Sequence, residues 1–152
     1  MDIYSKLTEI GIVLPDAPPP AANYIPFVKT DKLVFISGQV SQNENGFIKG
    51  FVGEDLNVEQ GYVAARCCAI SLLAQLKSAL NGDLNRMAKV VKLGGFVNSA
   101  PGFTEQPSVI NGASDLFVEL FGEKGKHART AVGANLPLGV AVEIDGIFEV
   151  ES

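Results

Sequence analysis

The sequence is sparing with the residues that usually announce a function. It has one histidine and two cysteines, no run of three basic residues, no low-complexity tract, and no apolar stretch near the ~18 residues a membrane-spanning helix needs. The scattered bases argue against a phosphate-backbone binder, since nucleic-acid affinity is built mainly from clustered Lys and Arg, and the net charge of −5 weighs the same way. Cys67 and Cys68 are neighbours in a segment of helical pattern, where successive side chains diverge, so they are not expected to bridge. No nearby cysteine or histidine completes a metal set around them, and the expectation is a small apolar filler in the core, with no metal and no cofactor. With no leader of charged-then-apolar type and no membrane span, a cytoplasmic protein without a membrane partner is expected.

What is there describes a compact chain. At 152 residues, with 47% hydrophobic and 19% charged side chains, one domain spanning 1–152 is expected, and its low charge leaves apolar surface that oligomerisation would hide. Ile3, Leu7 and Ile10 recur at helical spacing and stop at Gly11, predicting a short N-terminal helix. A proline-rich connector follows, Leu14 to Pro20, too rigid to continue it, so residues 1–20 form a helix plus an extended strap. Tyr24, just beyond, is either a packing wedge or a site residue with a hydroxyl to offer.

Phe27–Lys29 and Leu33–Ile36 flank a short polar turn, the pattern of a β-hairpin. The second strand is expected to end in Ser37-Gly38-Gln39, where a glycine permits close backbone approach. A turn at Asn43–Gly46 leads to a predicted short strand over 47–52. Asn57 and Gln60 have the spacing of a capping box, and apolar residues from Tyr62 to Leu80 recur at 3 and 4 spacing, predicting the long core helix. The strand 90–97 carries the pair Gly94-Gly95, which suggests a bulge or a close crossing. A polar loop holding Phe103 and Gln106 opens a second core helix, with Pro107 expected at its first position, Ile110 to Phe121 as its buried stripe and Asn111 off that stripe.

The last quarter is the most suggestive. Arg129 starts one β-like run, and Glu143 and Asp145 alternate with Val142, Ile144 and Gly146 on the next, so paired strands would bring cation and anions together. That is a binding site for a small carboxylate, which arginine's planar fork grips through two parallel hydrogen bonds, or an ordinary ion pair. The element order gives an α+β fold with two core helices on one face of a mixed sheet, plus the N-terminal helix.

Phe35-Ile36-Ser37-Gly38-Gln39, the long helix, Asn111, Ala128-Arg129, Leu136-Pro137 and Val142-Glu143-Ile144 follow one another in an order that resembles the RidA, or YjgF/YER057c/UK114, family. The resemblance implies a chorismate-mutase-like fold assembled as a homotrimer, with sheets packed into a central barrel and three clefts between subunits. It also implies hydrolysis of reactive enamines and imines of amino acids to 2-oxo acids and ammonia. In that picture Arg129 clamps the substrate carboxylate, Glu143 positions or activates water, and Tyr24, Ser37, Gly38 and Asn111 shape the cleft, with Phe103 and Gln106 contributed by the loop. Ala131 stands where the archetypal branch has cysteine, the loop over 98–106 is longer, and the N-terminal helix is an addition, so the chain resembles a separate branch of the family. A second reading keeps the same cleft for non-catalytic binding of a 2-oxo or amino acid. A third, endoribonuclease, is disfavoured by the acidic balance and the single histidine, His127, which is read as a strand-entry residue rather than a general base.

Overall fold

The computed structural model describes residues 2–20 and 22–152. Its elements are α1 (Ile3–Glu9), β1 (Phe27–Thr30), β2 (Leu33–Val40), β3 (Gln42–Asn43), β4 (Gly46–Phe47), α2 (Val58–Ala79), β5 (Met87–Val97), α3 (Gln106–Phe121), β6 (Ala128–Gly133) and β7 (Val142–Val150). Five strands form a mixed sheet in the order β1-β2-β7-β5-β6. Only β5 and β6 run parallel, because the chain between them is a crossover through α3; the other pairs are antiparallel. No helix is long and apolar enough to cross a membrane among the described residues.

The helices begin and end where local chemistry dictates. Asn57 accepts from the Gln60 amide and Gln60 accepts from the Asn57 amide, both at 2.8 Å, so two orphan donors at the start of α2 are satisfied reciprocally. The helix stops where Asn81 and Gly82 take positive φ. Pro107 lies in the first turn of α3, whose first residue is Gln106, and Gly122 ends it.

The two long helices lie on one face of the sheet and come unusually close. A Cβ at Gly112 of α3 would overlap the Tyr62 carbonyl of α2. Against them β7 buries Val142, Ile144, Phe148 and Val150, and α3 buries Ile110, Leu116 and Phe117. Each such fully buried side chain contributes roughly 1.5–3 kcal/mol. The N-terminal helix caps the end of α2: Leu7 is buried, Leu84 donates to the Tyr4 hydroxyl at 3.1 Å, and Lys77 lies 5.6 Å over the Tyr4 ring. The proline strap then runs along the flank of α2 beside β2, where the buried Gln75 donates to the Pro18 carbonyl at 2.6 Å.

Two expectations need correcting, and one open alternative is decided. β2, expected to end in Ser37-Gly38-Gln39, runs through these residues to Val40, its ladder with β7 shifting between Ile36 and Gln39. Of the strand expected over 47–52 only Phe47 lies in a strand; Lys49 and Val52 form isolated bridges to Val140 and Ser99. The glycine pair in β5 is not a bulge, since the ladder shifts lie earlier, between Met87 and Lys89 and between Val90 and Lys92. Both glycines answer close approach instead: a Cβ at Gly94 would overlap the Asp145 carboxylate on one face, and one at Gly95 would crowd Ile110 of α3 on the other.

Candidate functional site

Strand register decides which side chains can meet. Leu93 of β5 lies between Arg129 of β6 and Gly146 of β7, while Phe96 lies between Val132 and Glu143, and Gly94 between Thr130 and Asp145. Neighbours in register share a face. Arg129 therefore projects to the helix side, and Glu143 and Asp145 project to the opposite, open face. The pairing expected between adjoining strands does not occur within one chain, because β5 is inserted between β6 and β7. The ion-pair alternative is absent too: among the described residues the one salt bridge is Lys126–Glu123, at the surface.

On the helix side Arg129 is held by α3. Its Nη1 donates to Asn111 Oδ1 at 2.8 Å and to Ser114 Oγ at 3.1 Å, and Nη2 makes a long contact of 3.5 Å with the Pro107 carbonyl. Asn111 and Ser114 are one helical turn apart and so present a single face to β6. Ser114 Oγ is also 2.8 Å from His127 Nε2, and His127 Nδ1 is 2.6 Å from the Gly125 carbonyl. His127 is half-buried, edge-on to Phe117 at 6.3 Å between ring centroids. Burial lowers its pKa below the usual imidazole value; the Gly125 hydrogen bond opposes this, and the charges of Arg129 and Lys89 reinforce it. Ser114 carried no signal of its own in the sequence. Its clue was combinatorial, a serine three residues after Asn111 facing a strand that carries the arginine.

The open face holds the acids. Glu143 lies against Gly38, where a Cβ would overlap its carboxylate, so only glycine leaves room for the group. Burial raises the pKa of Glu143 and the neighbouring charge of Asp145 adds to this; burial likewise raises Asp145, partly offset by a hydrogen bond from the Gly94 backbone and by Lys92. Around them are Phe35, Phe96, Ile147 and Val132, all at least partly exposed, an apolar surface with two half-buried acids at its centre. Tyr24 is exposed and shares a shallow groove with Pro18, Pro20, Gly38 and Gln39. Ser37 supports this region from behind, its hydroxyl donating to the Ile25 carbonyl at 3.0 Å.

The loop residues serve a third place. Phe103 is half-buried against Gly53, and the Gln106 amide donates to Ser99 Oγ at 3.1 Å and to the Phe103 carbonyl at 2.9 Å, which closes the loop before α3. The eight residues singled out from the sequence thus form two clusters, Arg129 with Asn111 and Glu143 with Gly38 and Tyr24, plus a supporting set of Ser37, Phe103 and Gln106. Among the described residues no three His, Cys, Asp or Glu side chains gather as a metal set.

A family model described as YjgF/chorismate mutase-like, with a provisional endoribonuclease label, matches residues 4–142. Protein TCP17 of Trypanosoma cruzi is 47% identical over 99% of this chain and 95% of its own length. The crystal structure of the protein Atu1372 from Agrobacterium tumefaciens superposes with a TM-score of 0.91 at 46% identity, covering 98% of this chain and 92% of that one. RidA from the Antarctic bacterium Psychrobacter sp. PAMC 21119 superposes with a TM-score of 0.58 at 26% identity, over 89% of this chain and 94% of that one.

Proposed function

The chain belongs to the YjgF/chorismate mutase-like family, and on that footing we propose that it hydrolyses small imino acids to 2-oxo acids and ammonia in clefts between the subunits of a homotrimer. The observation that carries the reading is the state of Arg129. Both Nη1 hydrogens are spent on Asn111 and Ser114, while Nε–H and an Nη2–H remain on one edge of the guanidinium. Two parallel N–H groups on one edge are what a carboxylate takes bidentately.

The chemistry needs little else. Water adds to the C=N carbon, the nitrogen takes a proton, and ammonia leaves as the carbonyl forms; a positioned carboxylate accepts the proton from water and returns one to nitrogen. Glu143 is the candidate, since its raised pKa brings it nearer the range where it can both take and give a proton. Because Arg129 and Glu143 lie on opposite faces of one sheet, a ligand held by one protomer's Arg129 would meet Glu143 from another. Joining the open faces of several chains would also cover the apolar surface around Phe35, Phe96 and Ile147. Tyr24 then lies at the rim of such a cleft, beside Gly38. No cofactor is called for, and the preference is for ligands with a free carboxylate.

The test couples purified protein to an amino-acid dehydratase or oxidase and follows trapping of the imine by semicarbazide against 2-oxo acid formation. Faster imine loss that disappears in Arg129→Ala supports the deaminase. Binding of 2-oxobutanoate that depends on Arg129, with no acceleration of imine loss, would make the cleft a binding site. A monomer by sedimentation would remove the shared cleft.

A further inference from the structure

We infer that Ser114 and His127 are positioning residues that fix the guanidinium of Arg129 with its carboxylate-binding edge outward, an inference that rests on the clamp role proposed above. The direction of each hydrogen bond follows from its neighbour. The Gly125 carbonyl can only accept, so at neutral pH the proton of His127 resides on Nδ1, leaving Nε2 as an acceptor. The Ser114 hydroxyl must then donate to Nε2, which turns an oxygen lone pair toward Arg129 Nη1. Asn111 Oδ1 takes the second Nη1 hydrogen. The relay thus runs from a backbone carbonyl on the turn before β6, through imidazole and hydroxyl, to the side of the arginine turned away from any ligand.

This arrangement has a consequence for pH. The groups whose charge acts on the ring are Arg129 on β6 and Lys89 on β5, both cationic, and the α3 groups that touch it, Ser114 and Phe117, are neutral. Protonating His127 would turn Nε2 into a donor, reverse the serine and set a new positive charge beside the guanidinium. The clamp is therefore organised only while His127 is neutral, and acid should weaken it before the carboxylate of the ligand itself titrates.

The experiment measures calorimetric affinity for 2-oxobutanoate between pH 5 and 8 in the native protein and in Ser114→Ala, Ser114→Thr, His127→Gln and Arg129→Lys. Ser114→Ala and His127→Gln should each weaken binding about 3- to 10-fold, the worth of one neutral hydrogen bond, with Ser114→Thr restoring it. The acid-side loss of affinity should vanish in His127→Gln. Native affinity and an unaltered acid limb in both variants, with Arg129→Lys impaired, would overturn the positioning role and leave the clamp standing. Native affinity in Arg129→Lys would instead remove the clamp. Ring ¹⁵N shifts of His127 in the native protein give a variant-free check: an Nε2–H tautomer at neutral pH contradicts the relay even where a variant fails to fold.

Discussion

The two faces of the sheet hold their charged groups in opposite ways. On the helix side the cation Arg129 is anchored at Nη1 by neutral oxygens, and its charge is left for something else to answer. On the open face the acids Glu143 and Asp145 have no salt-bridge partner among the described residues and sit half-buried among apolar side chains, so that burial raises their pKa values. The first arrangement suits recognition, where a fixed fork must wait for a carboxylate. The second suits proton transfer, where a carboxylate must be reluctant to stay ionised. The difference teaches that neither half is sufficient: a protomer carries both functions but turns them away from each other.

The largest test of that division removes proton handling alone. Glu143→Gln should lower turnover by about 10²- to 10⁴-fold while sparing 2-oxobutanoate affinity, read as kcat against a separately measured Kd; unchanged turnover would move the role to Asp145. Arg129→Lys should do the reverse, costing about 10- to 100-fold in affinity because the charge stays while the fork is lost. Equal losses of both quantities in both variants would erase the distinction between the faces.

Two glycines sharpen the comparison through stability. Gly112→Ala would drive a methyl into the Tyr62 backbone carbonyl, which cannot step aside, and should cost on the order of 1–3 kcal/mol in urea unfolding. Gly38→Ala meets only the end of the Glu143 side chain, which can swing away. It should leave the unfolding midpoint nearly native yet depress turnover, and a fully active Gly38→Ala would show that the carboxylate's seat against β2 does not matter.

The smallest effect is one of sign. With their pKa values raised, Glu143 and Asp145 contribute stability that is present below the ordinary carboxylate pKa of about 4 and is lost as pH rises through the raised values. With its pKa lowered, His127 contributes stability that is present above about 6.5 and is lost as pH falls through the lowered value. Thermal midpoints followed from pH 3 to 8 should lose the first trend in Glu143→Gln and Asp145→Asn, and the second in His127→Gln.

Much of this molecule was decided locally. The capping box of Asn57 and Gln60, the stops at Gly82 and Gly122, the hairpin over 27–36 and the alternation of β7 all depend on residues close together in the chain, and they were legible as spacing. Resemblance to a family put Arg129 and Asn111 in one cleft, but the hydrogen bond between them was not legible until α3 was seen seated on β6. What spacing could not reveal is which strands become neighbours. Period-two alternation says which residues of a strand share a face, but the insertion of β5 between β6 and β7 depends on a crossover through α3 and on core packing across the whole chain. The choice of neighbours across the whole sheet set Glu143 against Gly38 of β2 and Asp145 against Gly94 of β5, and turned Arg129 to the opposite face, where Ser114 and His127 lie behind it.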